Sequence, residues 1–209
     1  MSNPQPAAEV ARRWDKVAQS DQVELRQGLI HPSGAHGEAE YRATGRSQAA
    51  MLLDLVTTLP GPEHRAHRVL DYGCGDGRVL AELSPVLEAW GTDTSPGMRD
   101  LALERCPGRA VVAPADVPAG HFDLVYCLAV LIHLGWNDGA DLVRAMAAAV
   151  APGGLLVLDV QLTAEPEEGG DWISVTTWSP ARLQLLAEVV GFEVVPSTVV
   201  PWNVLQRPA

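Results

Sequence analysis

A short apolar run, Val69-Leu70, leads into Asp71-Tyr72-Gly73-Cys74-Gly75-Asp76-Gly77-Arg78, where glycine recurs at every second position. Glycine lets the backbone turn sharply and lets a ligand approach with no Cβ in the way. At the carboxyl end of a buried strand, such a loop stands where open α/β sheets bind small molecules. The next apolar run, Ala89-Trp90-Gly91-Thr92, ends in Asp93 and continues as Thr94-Ser95-Pro96-Gly97-Met98. A carboxylate at that point is suited to accept hydrogen bonds from both hydroxyls of a ribose. A dinucleotide fingerprint would read GxGxxG, but here Arg78 stands where the third glycine falls. The departure counts against NAD or FAD, and the chain has no GxxxxGK[ST] phosphate loop.

These groups need a scaffold, and the alternation of patterns along the chain predicts one. Strands are expected at Arg68–Asp71, Ala89–Asp93, Arg109–Ala113, Phe122–Cys127, Leu155–Val160, Phe192–Ser197 and Trp202–Leu205. Helices are expected at Gly77–Ser84, Ser95–Arg105, Asp138–Val150 and Pro180–Val190, with Ser95 as N-cap and Pro96 at the first helical position. Strands alternating with helices argue for a mostly parallel sheet covered on both faces, an α/β doubly wound fold. The last two strands have no crossover helix between them and should pair antiparallel. Ahead of this core, residues 1–62 read as a helical cap. A helix covers Ala7–Gln22, with Val10, Trp14 and Val17 on one face. A loop follows at Leu29–Gly37, then a helix at Glu40–Leu59 that is ended by Pro60-Gly61-Pro62.

The chain has 209 residues with 47% apolar and 20% charged residues, enough for a sizeable core. It carries 15 basic and 26 acidic side chains, a net charge of −11, and the only adjacent basic pair is Arg12-Arg13. Such a surface repels a phosphate backbone, so nucleic acid is a poor partner. The longest unbroken apolar run, Leu124–Ile132, is too short to span a bilayer, which takes about 20 residues. The first residues hold no apolar signal core, and Cys74, Cys106 and Cys127 show no CxxC spacing. The expectation is a cytoplasmic protein with no membrane partner and no disulfide framework.

Four segments in order, VLDYGCGDGR, WGTDTSPGM, FDLVYCLAVLIHL and APGGLLVLDV, resemble the successive motifs of class I S-adenosylmethionine-dependent methyltransferases. The resemblance spans about Arg68–Val160, extends more weakly to GFEVV…WNVL, and implies a seven-stranded Rossmann-like core over residues 63–209. It implies S-adenosylmethionine as cofactor, S-adenosylhomocysteine as product, and a small molecule as acceptor through an O, N or C atom. By the same resemblance, Asp71, Gly73, Cys74, Gly75 and Gly77 face the methionyl part, and Asp93, with Thr94 beside it, takes the ribose. Met98, Asp116 and Val117 lie at the adenine, and Cys127 and Leu128 line the methionyl tail. Members that open with W/Y-D and a Y…GR segment close helices over the cofactor. That places Trp14 over the pocket and pairs Arg46, in YRATGRS, with the cofactor carboxylate.

A sulfonium methyl is already electrophilic, so aligning the nucleophile supplies most of what catalysis needs. A general base helps an oxygen or nitrogen acceptor, and His133 in LIHL is the candidate. Where amino-nitrogen DNA methyltransferases carry NPPY or DPPY, this chain has Cys127-Leu128-Ala129-Val130. Asp138, Asp141 and Asp159 are conceivable metal ligands, but acids at a helix start are favoured by its dipole, and no metal is expected. His31, His36, Tyr41, Trp136, Trp172 and Trp178 are candidates for shaping an acceptor pocket. Thr163–Asp171, acidic and glycine-rich, is expected to be a mobile flap or solvated loop. Three other readings stay open at this point: a cofactor-binding module without methyl transfer, a protein or peptide methyltransferase, and a nucleotide-dependent oxidoreductase.

Overall fold

A computed structural model describes residues 7–31, 36–58, 67–169 and 174–209. Three helices come first: α1 (Ala7–Ala18), α2 (Val23–Ile30) and α3 (Glu38–Thr58). The alternating part runs β1 (Arg68–Tyr72), α4 (Leu80–Leu83), β2 (Glu88–Thr92), α5 (Pro96–Arg105), β3 (Ala110–Val112) and β4 (Phe122–Cys127). It continues with α6 (Trp136–Ala149), β5 (Val150–Leu158), α7 (Pro180–Val190), β6 (Glu193–Val195) and β7 (Asn203–Gln206). The seven strands form one sheet in the order β3-β2-β1-β4-β5-β7-β6. Strands β1 to β5 pair in parallel, and β7 lies antiparallel between β5 and β6. The order reverses at β1, between β2 and β4, and such a switch point opens a crevice outside the carboxyl ends of the strands.

The continuous apolar texture of the central strands follows from burial on both faces. Successive side chains alternate between the faces. Leu70, Val125, Cys127, Leu156 and Leu158 join the cluster under α6 and α7, with Val143, Met146, Leu183 and Trp178. Val69, Leu124, Tyr126, Leu155 and Val157 join the opposite cluster with Leu52 and Leu55 of α3 and Leu80 and Leu83 of α4. Helix α3 is therefore built into the core and does not rest over the crevice. The expected cap boundary at 62/63, and the Pro60-Gly61-Pro62 breaker, lie outside the described residues.

Several boundaries differ from the sequence expectation. Val23–Ile30 is helical, where only a loop from Leu29 was expected; residues 32–35 of that loop are outside the described set. Strand β5 starts at Val150, not Leu155, and passes through Pro152-Gly153-Gly154. Its register against β4 shifts between Phe122 and Leu124, and a Cβ on Gly154 would meet the Asp123 carbonyl at 2.9 Å. The glycine admits this bulge, so the apparent breaker is an irregular strand entry. Residues 163–169 are not a free flap: Thr163 N–H donates to the Trp178 carbonyl, Glu167 and Thr177 exchange hydrogen bonds, and Gly169 N–H donates to Thr176 Oγ1. Glu168 accepts from Trp136 N–H at the start of α6, where an acid suits the helix dipole. The rest of that segment, with Trp172, is outside the described residues.

Because Leu52 is fully buried between α3 and the sheet, Leu52→Ala should destabilise the whole fold by about 2–5 kcal/mol. Urea unfolding measures this, and a loss of under about 1 kcal/mol would place α3 outside the cooperative core.

Candidate active site

The site is built where β1 and β2 end. Gly73 leaves β1 with φ +84°, and a Cβ there would stand 2.4 Å from Val130 Cγ2, so both conformation and space require glycine. This path lets the N–H groups of Gly73 and Cys74 both donate to the Thr92 carbonyl, at 2.7 and 2.9 Å. Gly75 N–H then donates to Asp93 Oδ2 at 3.0 Å, and Ser95 N–H donates to Asp93 Oδ1 at 2.8 Å. Each carboxylate oxygen thus holds a backbone donor and keeps further acceptor capacity for a ligand. Gly77 does a different job. At φ +83° it lies against Ala102 of α5 and Cys106 at the helix's end, where a Cβ would meet atoms at 3.2 Å, and it does not line the cavity. Its role is close packing of loop on helix.

A cavity of about 400 Å³ opens above this edge, within the size range of small-molecule sites. Its floor includes Asp71, Gly73, Cys74, Gly75, Asp93, Thr94 and Met98. Leu128, Ala129 and Val130 after β4 form one wall, and His133 and Leu134 follow. Trp14, with Val10 and Ala11 one turn earlier on α1, and Ile30 of α2 close it from outside. The Trp14 and His133 rings are 6.1 Å apart. Ala129 holds φ +57°, a strained value for a residue with a Cβ. Its N–H donates to Asp159 Oδ2 at 3.1 Å, which pins the turn.

Five of the expected residues do not reach this cavity. Arg46 is exposed on α3. The preceding Gly45 faces the glycine loop, where its Cβ would be 2.6 Å from the Arg78 carbonyl, and one residue along a helix turns about 100° away. Cys127 is fully buried in the α6–α7 cluster. Asp116 is exposed on a turn after β3, and Val117 packs half-buried against the same α6–α7 cluster. Gly77 faces α5, as above. Among the aromatic candidates, Trp178 packs on Gly139, Trp136 donates to the Thr177 carbonyl beneath Arg182, and Tyr41 is buried under the loop. His31 is half-buried and His36 exposed, and neither lines the cavity. Asp138 and Asp141 do line the cavity, Asp141 pairing with Arg144 at 2.6 Å, while Asp159 serves Ala129, and no metal-binding group of three or more is found among the described residues.

The cavity does hold a cation, but it is Arg78, the residue that departs from the dinucleotide fingerprint. Arg78 is 7% exposed and lines the cavity. It donates to Thr44 Oγ1 at 2.8 Å and Gln48 Oε1 at 2.7 Å, and lies 5.6 Å from the Tyr41 ring centre. Its Nε is buried without a partner, and no carboxylate forms an ion pair with it among the described residues. Burial pulls its pKa down, and Tyr41, Asp71 and Asp76 nearby oppose that.

The acids respond to the same burial. Asp71, 4% exposed, is pushed up to about 7 by desolvation, with the Tyr126 hydroxyl and the Arg78 charge opposing the shift. Asp93 is also raised by burial, against its bonds to Ser95 and Gly75. Since Asp71 holds its proton more tightly folded than unfolded, its contribution to stability declines as pH rises from about 4 to about 7. Asp71→Asn should flatten that part of the stability–pH curve, read by urea unfolding across the range. Parallel curves for the two proteins would contradict the assignment.

Comparison with known proteins agrees with this geometry. The family described as a methyltransferase domain matches residues 41–197, well over half of the chain. A trans-aconitate 2-methyltransferase of Variovorax paradoxus is 34% identical over 132 residues, 58% of this chain and 48% of that protein. A ribosomal protein L11 methyltransferase of Ralstonia pickettii is 36% identical over 168 residues, 76% of this chain and 50% of that protein. The chain thus spans about half the length of these curated relatives. Among solved structures, SAM-bound CalS10, an amino pentose methyltransferase from Micromonospora echinaspora, shares the fold with a TM-score of 0.63 at 23% identity. That match covers 81% of this chain and 95% of CalS10. With the family model matching residues 41–197 and a seven-stranded sheet with one reversed strand beneath the glycine loop, the chain belongs to the methyltransferase-domain family.

Proposed function

We propose that this chain binds S-adenosylmethionine in the cavity at the β1–β2 edge and transfers its methyl group to a small-molecule nucleophile. The observation that carries the reading is the arrangement of opposite charges around one cavity. Asp93 offers acceptor capacity for a ribose diol, Asp71 offers a carboxylate, and Arg78 presents a buried guanidinium lacking a carboxylate partner. A buried charge is normally paired, so Arg78 fits the carboxylate at the amino-acid end of the cofactor and Asp71 its ammonium. The apolar wall of Leu128, Ala129 and Val130 keeps water from that end.

The bound cofactor supplies an electrophilic methyl on sulfonium; the protein supplies position. Gly73 and Cys74 bring backbone close, while Met98 and Leu128 pack along the ligand. Trp14, Val10 and Ala11 exclude water from above, so the lid consists of α1 with α2. His133 is the histidine on the cavity wall among the described residues, and it serves as general base for an oxygen or nitrogen acceptor. A covered cavity, in place of an open groove, favours a small acceptor over a polypeptide. Among the described residues no helix is long and apolar enough to cross a membrane.

Asp93→Ala should abolish measurable calorimetric binding of both S-adenosylhomocysteine and 5′-methylthioadenosine, because both carry the ribose. Arg78→Met should weaken S-adenosylhomocysteine by about 10- to 100-fold, the worth of a charged hydrogen-bond pair. The same variant should leave 5′-methylthioadenosine, which has no carboxylate, within about twofold. Equal losses for the two ligands would remove Arg78 from the carboxylate, and normal binding by Asp93→Ala would remove Asp93 from the ribose.

A further inference from the structure

Helix α5 starts immediately after the candidate ribose acid, and its first turn contains no acidic residue of its own. Its N-cap Ser95 is fully buried, and Ser95 Oγ accepts from Met98 N–H at 3.1 Å. The acid that this helix start lacks comes from α1. Asp15 Oδ1 accepts from Ser95 Oγ at 3.0 Å and from Gly97 N–H at 2.9 Å, across 80 and 82 residues of chain. Asp15 is the neighbour of Trp14, which covers the cavity. Contact is close around it: a Cβ on Gly97 would meet Ala18 Cβ at 2.9 Å and Asp15 Oδ1 at 3.1 Å. Ser95 is also the residue whose N–H holds Asp93 Oδ1 at 2.8 Å. One residue therefore touches the ribose acid through its backbone and the lid through its side chain.

We propose that Asp15 is the latch of the lid, a positioning residue that fixes α1 to the start of α5 so that Trp14 closes over bound cofactor. The inference rests on the cofactor reading above. Two hydrogen bonds to a carboxylate at a helix N-terminus are stronger than neutral ones, and beside them α1 meets α5 through the small pair Ala18 and Gly97. The latch is thus the strong point of a lid that must still open to exchange ligand. A ligand that orders Asp93 orders Ser95 with it, which couples occupancy to closure.

The test measures dissociation of S-adenosylhomocysteine by stopped flow, together with trypsin cleavage at Arg12, Arg13 and Lys16 on α1. Asp15→Ala should speed dissociation about tenfold or more, as expected for losing charged hydrogen bonds, and should hasten cleavage within α1. Cleavage in the sheet and the urea midpoint should stay near wild type. Gly97→Ala keeps the Asp15 side chain but wedges it and α1 away from the start of α5, and should reproduce both effects with no loss of helix propensity. Asp15→Asn keeps an acceptor oxygen for Ser95 and Gly97, and should return dissociation to within about threefold of wild type. Wild-type rates in both Asp15→Ala and Gly97→Ala would overturn the latch. Faster dissociation with a matching fall in the urea midpoint, unrescued by Asp15→Asn, would make Asp15 merely structural. If wild-type protein itself fails to bind S-adenosylhomocysteine in the calorimeter, the cofactor reading fails and the latch falls with it.

Discussion

The carboxylate of Asp93 joins the two loops on which the site depends. One oxygen takes the N–H of Gly75, from the loop after β1, and the other takes the N–H of Ser95, from the turn after β2. Two strand ends are thereby held at a fixed separation, and what lies between them is the cavity floor. The glycine loop can meet this demand only by passing through left-handed backbone at Gly73, Gly75 and Gly77. A side chain at Gly73 would also collide with Val130, the wall on the far side. Backbone geometry, hydrogen bonding and cavity shape are here one constraint.

A second set of interactions carries charge into the interior and keeps it satisfied. Asp76, in the middle of the glycine loop, is 2% exposed. It accepts from the Tyr41 hydroxyl at 2.7 Å and pairs with Arg105 at 2.7 Å. Arg105 also reaches Glu38, which in turn takes the Gln27 side chain. Loop, α5, α3 and α2 are tied by this chain, with the Tyr41 ring lying about equally far from Arg78 and Arg105, at 5.6 and 5.5 Å. A buried ion pair gives little net stability unless its remaining valences are met, and here they are. The contrast with Arg78 is instructive, since its partners are neutral oxygens and its Nε has none. The fold satisfies the arginine that holds the loop and leaves unsatisfied the arginine that faces the cavity.

How much of this was legible in the sequence depends on the range of the interaction. The strands at Arg68–Tyr72 and Phe122–Cys127 were readable because both faces are buried and the apolar runs are unbroken. The Ser95-Pro96 helix start and the Pro180 helix were readable because capping is local: Ser95 caps α5 as expected, and Ser179 caps α7 in the same way. The β5 entry at Pro152-Gly153-Gly154 was not, because composition there signals a break while pairing with β4 imposes a bulged strand. Helix α2 was missed for a similar reason: Gly28 lowers its propensity, and a tertiary bond from buried Gln27 to Glu38 helps hold it. In the site, Asp93 and the glycine loop lie within short motifs. Arg78 acquires its setting only when α3, thirty residues upstream, is laid against the loop, and Arg46 was favoured because a phase of one residue on a helix is invisible without knowing which face packs.

The most direct test of the central claim is a crystal structure of the protein with S-adenosylhomocysteine. The expected structure has one ligand at the β1–β2 edge, its ribose hydroxyls on Asp93, its carboxylate on Arg78, and Trp14 lying over it. A ligand seated elsewhere, or one seated here with its amino-acid end turned away from Arg78, would contradict it.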